Sequence, residues 1–242
     1  MLRRLSAEVS ESSVAHPFFK DGNPAAVPGV ILMTADKGLA GAFNSNVIRA
    51  AESYAQQNHG ATFYTIGIKA RNAVRRMGQS EHPTWTLAGD KLETARAVAA
   101  RAGEDFAEGR ISRLVLISSR FISMMSQKPE VIPLLRVPRH FVVSPAGRES
   151  EKPQLRGAVE FLPSPEFVLA RLLPKYLEFT IFSTMLETDA AFFAAQLIAM
   201  SNATDNAGKA IDELTIAMNN ARQAAITKEL LEVVAGAEAL AG

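Results

Sequence analysis

Cysteine is absent from the 242 residues. Its absence excludes disulfides, thiolate metal sites and a thiol nucleophile, and is compatible with a cytoplasmic chain. An excess of one charge is missing as well: 26 Lys and Arg face 25 Asp and Glu, for a net charge of +1. Nucleic-acid domains usually carry a marked basic excess, so no polyanion partner is expected. No run approaches the roughly 20 apolar residues of a membrane span. The opening MLRRLSAEVSESS holds no apolar stretch of the signal-peptide kind. Any membrane role should therefore run through partners.

Signatures of catalysis are equally scarce. No G-x-S-x-G elbow occurs. The segment DKGLAGAF follows an apolar run and precedes a helical one, as phosphate-binding loops do, but lacks both G-x-G-x-x-G and G-x-x-x-x-G-K-[ST]. A tight turn is the simpler reading, with Asp36 capping it and Lys37 at the surface. His16, His59, His82 and His140 stand far apart with no paired carboxylates at metal spacing. Neither a shared zinc site nor a cofactor is expected. Trp85 in HPTWTL reads as a packing anchor. The basic clusters RNAVRR and LRR are broken by apolar positions and read as solvated helix faces.

What is present divides into two regions. From about Val30 to Leu162, short apolar runs alternate with helical stretches. VILMTA (30–35), TFYTIGI (62–68), LVLIS (114–118) and GAVEFL (157–162) read as strands. Phe43, Val47, Ala51 and Tyr54 mark one helical face, and KARNAVRRM and LETARAVAARAGEDFA supply two more helices. The alternation implies a Rossmann-like α/β domain, mostly parallel, with helices over its sheet. RHFVVSPAGRESEKPQLRG (139–157) reads as an exposed loop. The expected division is an N-terminal segment over residues 1–27, the α/β domain over 28–162 and a long helix over 163–242.

That last helix opens at PSPEFVLARLLPKYLEF, where Ser164 suits the cap and Pro165 the first turn. Pro174 should kink or restart it. Lys175–Gly242 contains no further proline, and a helix of that span would reach about 100 Å. Within it Leu186, Ala190, Phe193, Leu197, Met200, Thr204, Ala207, Ile211, Leu214, Met218, Ala221 and Ala225 alternate steps of four and three, with Thr204 alone polar. A sustained 3.5-residue repeat is the mark of a coiled coil. A long amphipathic helix lying on its own domain is the alternative, but a domain of this size cannot cover so long a stripe. After Ala225 the phase slips to Ile226, Leu230, Val233, Ala237 and Leu240, so the tip should face something new.

The stretch MSNATDNAGKAIDELTIAMNNARQAAITKELLEVVAGAEAL closely resembles the C-terminal helix of the gamma subunit of F-type ATP synthases, and TADKGLAGAFNSNV resembles that family's first strand and following loop. The resemblance covers roughly residues 28–240. It implies a central-stalk rotor without catalytic residues of its own, whose long helix threads the hexamer of alpha and beta subunits. Its base would sit with epsilon on the membrane rotor ring, peripheral to the cytoplasmic face of a bacterial membrane. RNAVRR could then touch acidic partners near that base. Arg222, Gln223, Thr227 and Glu229 match positions that contact a beta-subunit loop in the family; on the residues alone they read equally as a solvated face. A smooth apolar tip would turn in an apolar sleeve with little directional resistance.

Three departures from the family pattern are visible. Gln196 and Ser201 stand where many members are basic, and Ala40 stands where a small residue, often cysteine, is found. The family pattern also opens with a long basic helix that pairs with the C-terminal one, whereas MLRRLSAEV resembles only its end. The seam is then expected to lack its cis partner, which makes the chain alone unstable or prone to aggregate. The competing class is an α/β enzyme binding a phosphorylated ligand, its helix serving for oligomerisation; a coiled-coil adaptor unrelated to ATP is a third.

Overall fold

A computed structural model describes Phe18, residues 22–81, residues 84–135 and residues 164–241. The strand expected at 157–162, the loop expected at 139–157, and His16, His82 and His140 lie outside the described residues, as does most of the N-terminal segment. The elements in chain order are β1 (Gly29–Met33), α1 (Phe43–Gln57), β2 (Thr62–Ile66), α2 (Ile68–Met77), β3 (Ser80–Glu81), α3 (Lys91–Ala107), β4 (Leu114–Ser123), β5 (Ser126–Leu135) and α4 (Pro165–Ala241).

The sheet runs β3-β2-β1-β4-β5. β3, β2, β1 and β4 are mutually parallel, with Gly29 opposite Thr62 on one side and Leu114 on the other. β5 is antiparallel to β4. This is a Rossmann-like α/β sheet with helices on both faces, which explains why β1 is apolar at every position. Val30 and Leu32 pack with Val47 and Ala51 of α1 and Ala70 and Val74 of α2. Ile31 and Met33 point the other way, into a larger core with Ala95, Val98 and Ala102 of α3 and Leu173, Leu177, Ile181 and Met185 of α4. Strand period 2 thus distributes β1 between two cores.

Several boundaries differ from the sequence reading. β2 stops at Ile66 because Gly67, at φ 99°, caps α2, and a Cβ there would lie 2.1 Å from the Thr34 carbonyl oxygen. β4 runs past Ser118 to Ser123 and pairs with β5, a strand that Pro129 and Pro133 hide from pattern reading. Ser164 accepts from the Phe167 N–H at 3.2 Å, and Pro165 opens α4 as expected. Pro174 does not restart the helix: α4 is one element across it. Proline removes one ladder bond, and burial of Leu173 and Leu177 on the sheet stabilises the helical path on both sides of the gap.

The chain forms two compact units, Met1–Gln196 and Leu197–Gly242. The first holds the sheet, its helices and the opening turns of α4. The second is helical, and from Ser201 to Ala239 every residue is exposed.

Candidate functional site

In an open parallel sheet of this order, a ligand would sit beyond the carboxyl ends of β1 and β4, where the winding reverses. Here that crevice is filled by the protein itself. Ala35 and Ala40 of the loop after β1, with Phe43 at the start of α1, bury against Ala191 and Phe192 of α4, with the Phe43 and Phe192 rings edge to face at 5.9 Å. Thr188, wholly buried, donates to Met33 Sδ at 3.2 Å.

The loop's polar groups are equally committed. Asp36 Oδ1 accepts from the Ile68 N–H, and its Oδ2 accepts from the N–H groups of Leu87 and Ala88, all at 3.0–3.1 Å. Thr34 Oγ1 accepts from the Ala70 N–H at 2.8 Å. The first-turn N–H groups of Ile68 and Ala70 in α2 are thereby taken up by side chains. Asn44 Oδ1 accepts from the Ala35 N–H and its amide donates to the Lys37 carbonyl, both near 3 Å. Asp36 does not cap its own turn: its carboxylate serves the first turn of α2 and the segment at Leu87 and Ala88; Lys37 is exposed, as expected. Trp85 is half-buried against the larger core. Among the described residues, no group of three His, Asp or Glu is placed to hold a metal ion.

A cavity at the opposite end of the sheet, lined by Pro24, Pro28, Asn58, Arg113, Val115 and Leu135, is no better suited to a phosphate. The Arg113 guanidinium already donates to the Tyr54 hydroxyl and to Asn58 Oδ1.

The candidate surface is on α4, which carries two apolar stripes in its first-unit turns. One, through Leu173, Leu177, Ile181, Met185, Thr188, Ala191 and Phe192, is buried on the sheet. The other contains the seam residues Leu186, Ala190 and Phe193, which are exposed, Leu186 by 48% and Phe193 by 63%. At about 100° per residue the stripes lie about 180° apart. The seam therefore faces away from the sheet, and the alternative of an amphipathic helix lying on its own domain through this stripe does not hold for these turns.

In the second unit Leu197, Met200, Ile211, Leu214 and Met218 are exposed, as are Ile226, Leu230 and Val233 of the tip. The side chain of Leu240 lies outside the described residues. Thr204 Oγ1 donates to the Met200 carbonyl at 3.0 Å, so the polar seam position is satisfied within its own helix. Arg222, Gln223, Thr227 and Glu229 are all exposed. Gln223 and Thr227 share one face at four-residue spacing, with Thr227 Oγ1 donating to the Gln223 carbonyl at 2.9 Å. Arg222 and Glu229 share another face two turns apart. They form two pairs rather than one cluster.

An apolar row this long on a folded chain marks an interaction surface rather than a substrate pocket. A family model described as ATP synthase matches residues 1–240. The ATP synthase gamma chain of Heliobacterium modesticaldum is 37% identical over 243 residues, covering 99% of this chain and 82% of that one. That of Pelotomaculum thermopropionicum is 39% identical over 237 residues, covering 96% and 80%. The chain belongs to the ATP synthase gamma chain family.

Among solved structures, the gamma-family chain resembles one from the Euglena gracilis mitochondrial ATP synthase (OSCP/F1/c-ring, rotational state 3), with TM-score 0.64 and 19% identity, covering 88% of this chain and 73% of that one. One from the Tetrahymena thermophila mitochondrial ATP synthase central stalk and c-ring gives TM-score 0.58 at 19% identity, covering 84% and 86%. At that identity the likeness speaks to the fold.

Two features of this gamma-family chain escaped sequence reading. The tip of the β4–β5 hairpin exposes Ile122, Met124 and Met125. The buried stripe of α4 was hidden behind the seam, although Leu177, Ile181, Thr184, Thr188 and Ala191 repeat the four-three spacing two residues out of phase with it.

Proposed function

We propose that this chain is the central-stalk rotor subunit of a proton-translocating F-type ATP synthase. It couples proton flow through the membrane sector to rotary conformational change at the catalytic beta subunits, and has no active site of its own. The single observation that carries the reading is the exposed apolar helix of the second unit on a gamma-family chain. Such a surface needs a partner to cover it, and among the described residues the crevice where the competing enzyme reading would seat a ligand is filled by side chains.

In this reading the seam, Leu186 to Met218, takes a companion helix. Arg222, Gln223, Thr227 and Glu229 meet a beta-subunit loop intermittently from two faces. The tip, from Ile226 through Leu230 and Val233 to Leu240, turns within the alpha–beta hexamer. The α/β domain joins epsilon and the membrane rotor ring, which places the complex at the cytoplasmic face of a bacterial membrane.

The test is co-purification from membranes with an affinity tag on this chain, followed by ATP hydrolysis and ATP-driven proton uptake in vesicles. Recovery of alpha and beta subunits with both activities supports the rotor reading. Recovery of the chain alone, with both activities intact in cells lacking it, overturns it.

A further inference from the structure

A rotor helix must pass torque to the body that carries it. The close-packed apolar stripe resists large rotations, since turning the helix would expose its buried side chains to water and break interdigitated contacts. Small axial rotations are held most sharply by directional contacts set off to the sides of the stripe.

Such contacts are present on both sides. On one flank, Asp189 of α4 pairs with Lys91 of α3 at 2.8 Å, and Glu178 of α4 accepts from Arg96 of α3 at 2.7 Å. Lys175 holds the other oxygen of Glu178 at 2.7 Å from one turn back. On the opposite flank, Glu187 Oε1 accepts from the Phe121 N–H of β4 at 3.0 Å. By helical phase, Glu178 and Asp189 lie about 90–110° to one side of the buried stripe's midline, and Glu187 about 90° to the other. Lys91 and Asp189 are 22% and 29% exposed, which limits screening of that pair by salt; in the second pair Glu178 is shielded at 13% but Arg96 is 58% exposed, so salt screens it more.

From this bracketing we propose that Asp189–Lys91, Glu178–Arg96 and Glu187–Phe121 form a two-sided clamp that locks the base of α4 against axial rotation on the α/β sheet. Rotation in one sense stretches the α3 contacts, and rotation in the other stretches the β4 contact. These are positioning residues, and the proposal rests on the rotor reading given above.

The test uses the assembled complex, fixed through its hexamer and stalled without nucleotide. A bead is attached through a cysteine substituted at exposed Gln56, in a chain otherwise free of cysteine. The width of the bead's angular fluctuation reads the torsional stiffness. In the triple variant Glu178→Ala, Glu187→Ala, Asp189→Ala the variance is expected to rise about twofold, as directional restraint is lost on both flanks. Glu187→Ala alone broadens the distribution in one sense only. The exchange Lys91→Asp with Asp189→Lys keeps the wild-type width. An unchanged width in an assembled triple variant overturns the clamp. If the triple variant does not assemble, Asp189→Ala and Glu187→Ala are read singly by the same criterion. Failure of the wild-type chain to assemble with the hexamer would instead count against the rotor reading.

Discussion

The hydroxyl of Tyr64 donates to Asp105 Oδ2 across 2.6 Å in the larger core, joining β2 to α3. Asp105 is 1% exposed, and its other oxygen accepts from the Arg110 side chain at 2.6–2.7 Å, with Arg101 at 3.4 Å from Oδ2. A buried carboxylate of this kind is tolerable only while its partners remain. Tyr64→Phe should cost about 1–2 kcal/mol of stability, and Asp105→Ala about 2–3 kcal/mol, since it strands the buried Tyr64 hydroxyl and removes the anchor of Arg110, itself 47% exposed and able to turn to solvent. Urea unfolding of the chain checks both values and their order.

The same pair sets an alkaline limit. Burial, reinforced by the hydrogen bond to Asp105, pushes the Tyr64 phenol well above its ordinary value of 10.0. With the folded pKa raised, this contribution is complete below about pH 10 and declines as pH rises above the unfolded value. Tyr64→Phe should therefore flatten the alkaline fall in stability. Glu178 runs the opposite way. The hydrogen bond from Lys175, helped by Arg96, holds its carboxyl below the usual 4.5 despite burial. Its contribution is present above that value and fades as pH falls through the depressed one, so Glu178→Gln should flatten the acid limb. Thermal melting across pH reads both limbs.

Asp36 holds three backbone N–H groups with two oxygens. Asp36→Ala should cost about 2–3 kcal/mol, at the scale of charge-assisted hydrogen bonds. Amide exchange should accelerate first at Ile68, Leu87 and Ala88. If exchange there stays at the wild-type rate, the carboxylate is not what pins those segments.

Phe192 fills the crevice between the loop after β1 and the sheet. Phe192→Ala should destabilise the first unit by about 3–5 kcal/mol through the cavity it leaves. A denaturation midpoint within error of wild type would show that the crevice closes without the ring.

Leu214 and Met218 are exposed on the isolated chain. Leu214→Asp or Met218→Asp should therefore change its own stability by no more than about 0.5 kcal/mol. Assembly with the hexamer should fall sharply, because an unpaired charge then enters an apolar seam. Chemical denaturation and co-purification, run on the same variants, separate the two effects.

Where one physical term dominated, sequence reading was sufficient. β1 is apolar at every position, and Val47 and Ala51 keep helical spacing, so strand and helix were plain; the repeat from Leu186 to Ala225 was legible for the same reason. Reading failed where two terms compete. β5 carries Pro129 and Pro133, which argue against a strand, yet pairing with β4 prevails. Pro174 argues for a break, yet Leu173 and Leu177 are buried on either side of it. The clamp could not be read at all: nothing in the sequence brings Glu187 to Phe121 or Asp189 to Lys91, contacts that tertiary packing alone creates.

Thr204 returns its proton to its own backbone, which leaves the seam without any group that demands a matching counterpart. A buried asparagine amide commonly dictates the stagger and number of strands in a helical bundle; the Thr204 hydroxyl, bonded to its own helix, dictates neither. In the rotor reading proposed above, a companion helix of suitable girth can lie along the seam at more than one offset, so its alignment is set by contacts beyond the seam.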